Sequence, residues 1–108
     1  MPAYMIANVK VNEDSWVPEY AEKVHGIVHK HGGKYLSRSG NITLLEGEKP
    51  DVDAIALLEF PTVEAAQAFV NDPEYAPFAE ARRNGTVSNF YAIDDVDLMQ
   101  SIPYLPKE

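Results

Sequence analysis

Residues 54–75 read AIALLEFPTVEAAQAFVNDPEY, and the order of residue types in this stretch decides the fold. From Ala54 to Leu58 every position is apolar, which suits a strand buried on both faces. Phe60-Pro61 stops that strand. Thr62 is a good helix N-cap, and Glu64 is favourable near a helix N-terminus. Ala65, Ala66, Phe69 and Val70 then form the inward stripe of a helix that Asp72-Pro73 ends. A chain of 108 residues has helix enough for one face of a sheet. The second face of this strand needs another cover, and a second copy of the same sheet is the expected one.

Upstream, Tyr4 to Val11 alternates as a strand, with Met5, Ala7, Val9 and Val11 on one face and Tyr4, Ile6, Asn8 and Lys10 on the other. Asn12, Asp14 and Ser15 offer helix caps, and Pro18 fits a first turn. Val17, Tyr20, Ala21, Val24, Ile27, Val28 and His31 form one helical stripe, closed by Gly32-Gly33. Lys34 to Glu46 reads either as a hairpin turned at Gly40-Asn41 or as one long strand bent there by a bulge. The bent strand is preferred, because a hairpin leaves a very short arm. Downstream, a short helix is expected from Pro77 to Asn84-Gly85, carrying Phe78, Ala79 and Ala81. A last strand is expected over Ser88–Asp94, and an acidic tail from Asp95 reads as an arm laid on a surface.

The order is β-α-β-β-α-β. Two interlocked split β-α-β units give an α+β, ferredoxin-like domain over residues 1–94, with a four-stranded antiparallel sheet and residues 95–108 as a tail of the same domain. The first and third strands then lie in the middle, as the unbroken apolar run of the third requires.

Composition narrows the function. The 45% hydrophobic and 24% charged residues are those of an ordinary globule. A net charge of −8 argues against nucleic acid as a partner. With no cysteine, disulfides and thiolate chemistry are excluded. No signal-peptide pattern and no apolar run of about 20 residues is found, so no membrane partner is expected and a cytoplasmic location is. No phosphate-binding glycine loop, nucleophile elbow or HExxH pattern appears, which makes a nucleotide cofactor unexpected.

Several short motifs coincide in order and spacing: Tyr4-Met-Ile-Ala-Asn-Val, Gly32-Gly33-Lys34-Tyr35-Leu36, Leu45-Glu46-Gly47, Glu59-Phe60-Pro61 and Asp72-Pro73-Glu74-Tyr75. As a set they resemble the family known as "domain of unknown function 1330", over roughly residues 3–94. That resemblance implies a dimeric α+β barrel, in which the sheets of two subunits face each other. It implies a homodimer and no particular reaction; related barrels include cofactor-free monooxygenases and isomerases.

The candidate site residues follow from strand ends. The starts of the first and second strands and the end of the third share one end of the sheet, so Tyr4, Arg38 and Glu59 are expected to converge there. Arg38 would hold an anionic substrate and Glu59 would act as catalytic base or acid; the alternative is a cross-strand ion pair. Asn8 and Glu46 are expected near the opposite end, with Asn8 contacting substrate or satisfying a strand irregularity. Tyr75, after a proline turn, and Tyr91, on the last strand, are further substrate-binding candidates. Their alternatives are a surface aromatic and a core or dimer contact. Arg82 and Arg83 read as solvated, and Trp16 as packing. His25 and His29 lie one helical turn apart, but no carboxylate completes a metal set at obvious spacing, so no metal and no organic cofactor is expected. Two functions remain open: a cofactor-independent small-molecule enzyme acting on a small acidic organic substrate by proton transfer, isomerisation or oxygenation, or a non-catalytic homodimer that binds a ligand or another protein.

Overall fold

A computed structural model describes residues 2–107. Four strands and three helices follow in the order β1 (Ala3–Val11), α1 (Val17–Lys30), β2 (Lys34–Ser39), β3 (Ala54–Phe60), α2 (Val63–Val70), α3 (Ala76–Gly85) and β4 (Thr86–Asp94). The sheet is antiparallel with spatial order β2-β3-β1-β4, so the first and third strands are central as expected. This is the ferredoxin-like arrangement.

Alternation assigns the two faces. Met5, Ala7, Leu58 and Phe60 lie under the helices and are 3% exposed or less. Val24, Ile27 and Val28 of α1, Ala66 and Phe69 of α2 and Ala79 of α3 pack on them as one core. At ~25 cal/mol per Å² of apolar surface, such burial dominates the folding free energy. Tyr4, Ile6, Asn8, Ile55, Leu57 and Glu59 point the other way and stay partly accessible.

The helix ends show how much of the chain is locally determined. The Thr62 hydroxyl accepts the Ala65 N–H at 3.0 Å, the N-cap expected for α2. Helix α1 differs: Trp16 holds its N-cap position and no side chain caps it. Asn12, Asp14 and Ser15 do not serve, because the segment before α1 is tied to the end of α3. There the Asn12 and Glu13 N–H groups both donate to the Gly85 carbonyl, at 2.8 and 3.0 Å. Trp16 sits against Gly85 so closely that a Cβ there would come within 2.6 Å of the indole. At the other end Gly32, at φ +77°, turns the chain out of the helix.

Two expectations fail between β2 and β3. Residues 42–45 are not strand, and the bulge is not at Gly40-Asn41. Strand β2 ends at Ser39, opposite Ile55. Beyond it only Ala54 of β3 remains, and Asp53 is already committed to β1. The Asp53 N–H donates to the Val9 carbonyl at 2.8 Å and its carboxylate accepts the Val11 N–H at 2.7 Å. Leu44 and Leu45 are left exposed in the loop. The bulge lies earlier. Lys34 pairs with Glu59 and Tyr35 with Leu58, then Ser37 pairs with Leu57 and Arg38 with Ala56, so Leu36 is the extra residue.

The tail is folded on itself rather than laid out as an arm. The Asp97 N–H donates to the Pro106 carbonyl at 2.9 Å, and the Asp97 carboxylate accepts from the N–H groups of Met99, Ser101 and Ile102. Leu98, Met99 and Tyr104 point to solvent.

Candidate functional site

Between the helix-covered face of the sheet and helices α1 and α3 lies a cavity of about 320 Å³. Its floor is small: Ala7, Ala54 and Ala56 in the middle of the sheet leave space that larger residues would fill. Val17, Tyr20 and Ala21 of α1 roof it, and Trp16 closes one end. The walls are almost wholly apolar. The charged groups that reach it are Arg38 and Arg82, which come from opposite sides: Arg38 from the edge strand β2, Arg82 from α3 above the other edge strand, β4.

Arg82 is 7% exposed, contrary to the solvated position expected for it. Its guanidinium lies over the Phe90 ring, 4.1 Å from the centroid, and Nη1 donates to the Ser88 hydroxyl. Its Nε is buried with no partner, and among the described residues no carboxylate comes within ion-pair distance of it. The signal was present in the helix period: Phe78, Ala79 and Arg82 share one stripe of α3.

Arg38 reaches the same cavity because of the bulge. Without the extra residue at Leu36, Arg38 would share the open face with Lys34 and oppose Ile55, four residues along β3 from Glu59. With it, Arg38 joins Tyr35 on the helix side, its guanidinium 5.1 Å from the Tyr35 ring centroid. The expected convergence of Tyr4, Arg38 and Glu59 therefore does not form. Tyr4 and Glu59 are direct cross-strand neighbours on the open face, and the cation beside Glu59 is Lys34, at 3.8 Å.

The remaining candidates divide between the faces. Asn8 and Tyr91 come together on the open face, where the Asn8 Nδ2 donates to the Tyr91 hydroxyl at 3.3 Å. Their diagonal position follows from the register, in which Asn8 opposes Asn89 and Ile6 opposes Tyr91. Glu46 is exposed in the 40–53 loop and lines no cavity found among the described residues. Tyr75 is fully buried. The Asp72-Pro73-Glu74 turn delivers it inward, with the Asp72 carboxylate accepting the Glu74 N–H at 2.9 Å. It stacks on Phe69 at 4.4 Å, and its hydroxyl lies 2.6 Å from that of Tyr20 at the cavity wall.

Two phenols of the cavity lining, Tyr20 and Tyr35, are held protonated at neutral pH. Burial pushes the Tyr20 hydroxyl far above the ordinary tyrosine range, with Tyr75 adding to the effect. Burial also raises Tyr35, against an opposing pull from Arg38. Neither carboxylate nor imidazole lines this cavity. It can bind and orient an anion, and its tyrosines can donate hydrogen bonds, but it holds no group suited to take a proton at pH 7.

A second, more open cavity of about 450 Å³ adjoins the first at the β2 edge and shares Tyr35 and Arg38 with it. His25 and His29 of α1 and Lys34 of β2 complete its lining.

The chain is thus an α+β protein with a four-stranded, ferredoxin-like antiparallel sheet and helices on one face. Within that class, the family model "Domain of unknown function (DUF1330)" matches residues 2–96, and the chain belongs to that family. Similar solved structures include a protein of unknown function from Rhodopseudomonas palustris, RPA0582 (TM-score 0.69, 19% identity, 85% of this chain and 80% of that one). They also include SnoaB, a cofactor-independent oxygenase from Streptomyces nogalater (TM-score 0.62, 13% identity, 93% and 98%). An antibiotic biosynthesis monooxygenase is a third (TM-score 0.57, 13% identity, 90% and 100%). At these identities the likeness is one of fold. No curated protein matches the sequence. No helix among the described residues is long and apolar enough to cross a membrane.

Proposed function

We propose that this protein binds a small acidic organic molecule in the cavity between sheet and helices, as a homodimer closed through the open sheet face. The observation that carries the reading is Arg82. In a chain with 17 acidic residues, a buried guanidinium kept clear of every described carboxylate, at the wall of an apolar cavity, is best explained by an anion that arrives from outside. Arg38 at the rim is the second clamp, and the Tyr20–Tyr75 hydroxyl pair orients the bound molecule. The homodimer is supported by the apolar character of the open face, where Val87, Tyr91 and Ile93 are exposed beside Ile6, Ile55 and Leu57. The test is titration with phenylacetate and benzoate, followed by calorimetry. Binding that Arg82→Met abolishes supports the reading; binding that survives Arg82→Met removes it.

The enzymatic reading keeps a specific observation of its own. Glu59, about one-third exposed in the single chain, stands between Tyr4 and Lys34 on the face that a second copy would cover. Enclosed there, it would be the catalytic carboxylate for proton transfer, isomerisation or oxygenation without a cofactor, with Asn8 and Tyr91 as orienting groups. That SnoaB is a cofactor-independent oxygenase on this fold is consistent with it. Glu59→Gln is expected to remove turnover of any substrate found while leaving cavity binding intact. Equal turnover in the variant would remove Glu59 from the chemistry, and no turnover in the parent would leave binding as the whole function.

A further inference from the structure

We infer that the open cavity at the β2 edge is the seat of a doubly charged headgroup, and that the ligand is charged at both ends: an acid whose carboxylate meets Arg82 under the helices and which carries a dianion, a phosphate monoester or a pair of carboxylates, outside. The inference rests on the cavity reading above and adds to it the class of headgroup. The chain has 9 Lys and Arg and 3 His against 17 Asp and Glu. Even so, the outer cavity is lined by His25, His29, Lys34, Tyr35 and Arg38, with no carboxylate among them. In so acidic a protein a lining of this kind selects for negative charge.

The geometry makes the two cavities one path. His25 and His29, four residues apart on α1, present their rings on the same side of the helix. The Leu36 bulge turns Arg38 to the helix side, where it lines this cavity with them, instead of to the open face. Arg38 and Tyr35 line both spaces, so a molecule whose apolar part lies over Ala7 and Ala56 leaves its outer end beside these two side chains. There Arg38 offers a planar fork of donors and each imidazole an N–H, with Lys34 a point charge shared with Glu59 at 3.8 Å, a set that satisfies several anionic oxygens at once. A monocarboxylate would leave most of these donors to water.

The experiment compares three probes with one phenylacetate body at pH 7: phenylacetate as the monoanion, and its 4-phosphonooxy and 4-(2,2-dicarboxyethyl) derivatives as the two sources of an added dianion. Calorimetry is expected to show at least one dianion binding about tenfold more tightly than phenylacetate, in line with additional charge-assisted hydrogen bonds. The tighter of the two identifies the headgroup chemistry. In the His25→Gln/His29→Gln double variant, both positions being exposed, that ratio is expected to collapse toward one. The His25 and His29 ring signals in NMR spectra of the parent protein should shift with the preferred dianion and not with phenylacetate. A ratio near one in the parent, or a ratio that survives in the double variant, overturns the inference while leaving the inner cavity as an anion site. Failure of all three probes to bind overturns the cavity reading itself.

Discussion

The two faces of one sheet carry different burdens in this protein. On the helix side Met5, Leu58 and Phe60 are at most 3% exposed, whereas on the open side Val87, Tyr91 and Ile93 are 60, 49 and 54% exposed. The same four strands supply both: alternation sorts the side chains to the two faces, and the helices cover one of them. One face stores the stability of the single chain; the other holds apolar area that a lone chain leaves wet. The largest expected effect is on the covered face. Phe69 stacks between Phe60 and Tyr75, at 5.8 and 4.4 Å, and is 1% exposed. Phe69→Ala should destabilise the fold by about 3–5 kcal/mol in urea unfolding. A loss under 1 kcal/mol would mean that the aromatic stack is not the keystone of this face.

The open face should respond in the opposite way. Leu57→Asp places a charge in the middle of the surface proposed to pair, next to Ile6 in the register. Burying that charge without a partner should convert the dimer to monomer in sedimentation or light scattering. It should change the stability of the single chain by only about 1 kcal/mol, as surface substitutions do. A parent protein that is already monomeric at micromolar concentration would remove the comparison.

How much of this was legible in the sequence follows the same division. The unbroken apolar run at Ala54–Leu58 announced a central strand, and the period-2 pattern of Tyr4–Val11 gave both faces of its neighbour. The position of the bulge was not legible. Tyr35-Leu36-Ser37-Arg38 carries no glycine or turn residue, and Leu36 becomes the extra residue only because the register with β3 requires it. That single slip moved Arg38 to the helix side of the sheet, and the pairing of Lys34 with Glu59 puts Arg38 along the strand from Glu59 in either register. Arg82 was misplaced for another reason. Its charge suggests solvent, but it shares a helical stripe with Phe78 and Ala79, and a long guanidinium satisfies such a stripe by lying on an aromatic ring. Tyr75 was placed after a turn correctly, but burial depends on where α1 delivers Tyr20, which is information from far along the chain.

A pH scan sharpens the comparison at the rim of the covered face. Asp72 is buried where α1 meets the α2–α3 turn, with Lys30 at 2.6 Å and His31 at 2.7 Å. Lys30 first, then His31 and the Glu74 N–H, hold its carboxyl well below the usual aspartate range. A depressed folded pKa means that the carboxylate contributes stability above its unfolded value of about 3.9, and that this is lost as pH falls through the unfolded and then the folded value. Asp72→Asn should therefore lower the urea midpoint at pH 6 to 7 and flatten its fall below about pH 4. Parallel acid limbs in the two proteins would show that the cluster forms without stabilising the fold.

The smallest effect separates two hydroxyl pairs, one on each face. Tyr20 and Tyr75 share a buried 2.6 Å hydrogen bond, so Tyr20→Phe strands the Tyr75 hydroxyl and should cost about 1–2 kcal/mol, much of it recovered in the Tyr20→Phe/Tyr75→Phe double variant. Asn8 and Tyr91 are linked at 3.3 Å on the exposed face, where water can replace either partner. Tyr91→Phe should stay within about 0.5 kcal/mol for the single chain. The number gains meaning from its concentration dependence. If a second copy covers this face, the bond is removed from water on association, and the cost should rise toward about 1 kcal/mol once the chain is concentrated enough to pair. A Tyr91→Phe cost that stays flat from nanomolar to high micromolar protein would place Tyr91 outside the contact and move the pairing surface off the β4 side of the sheet.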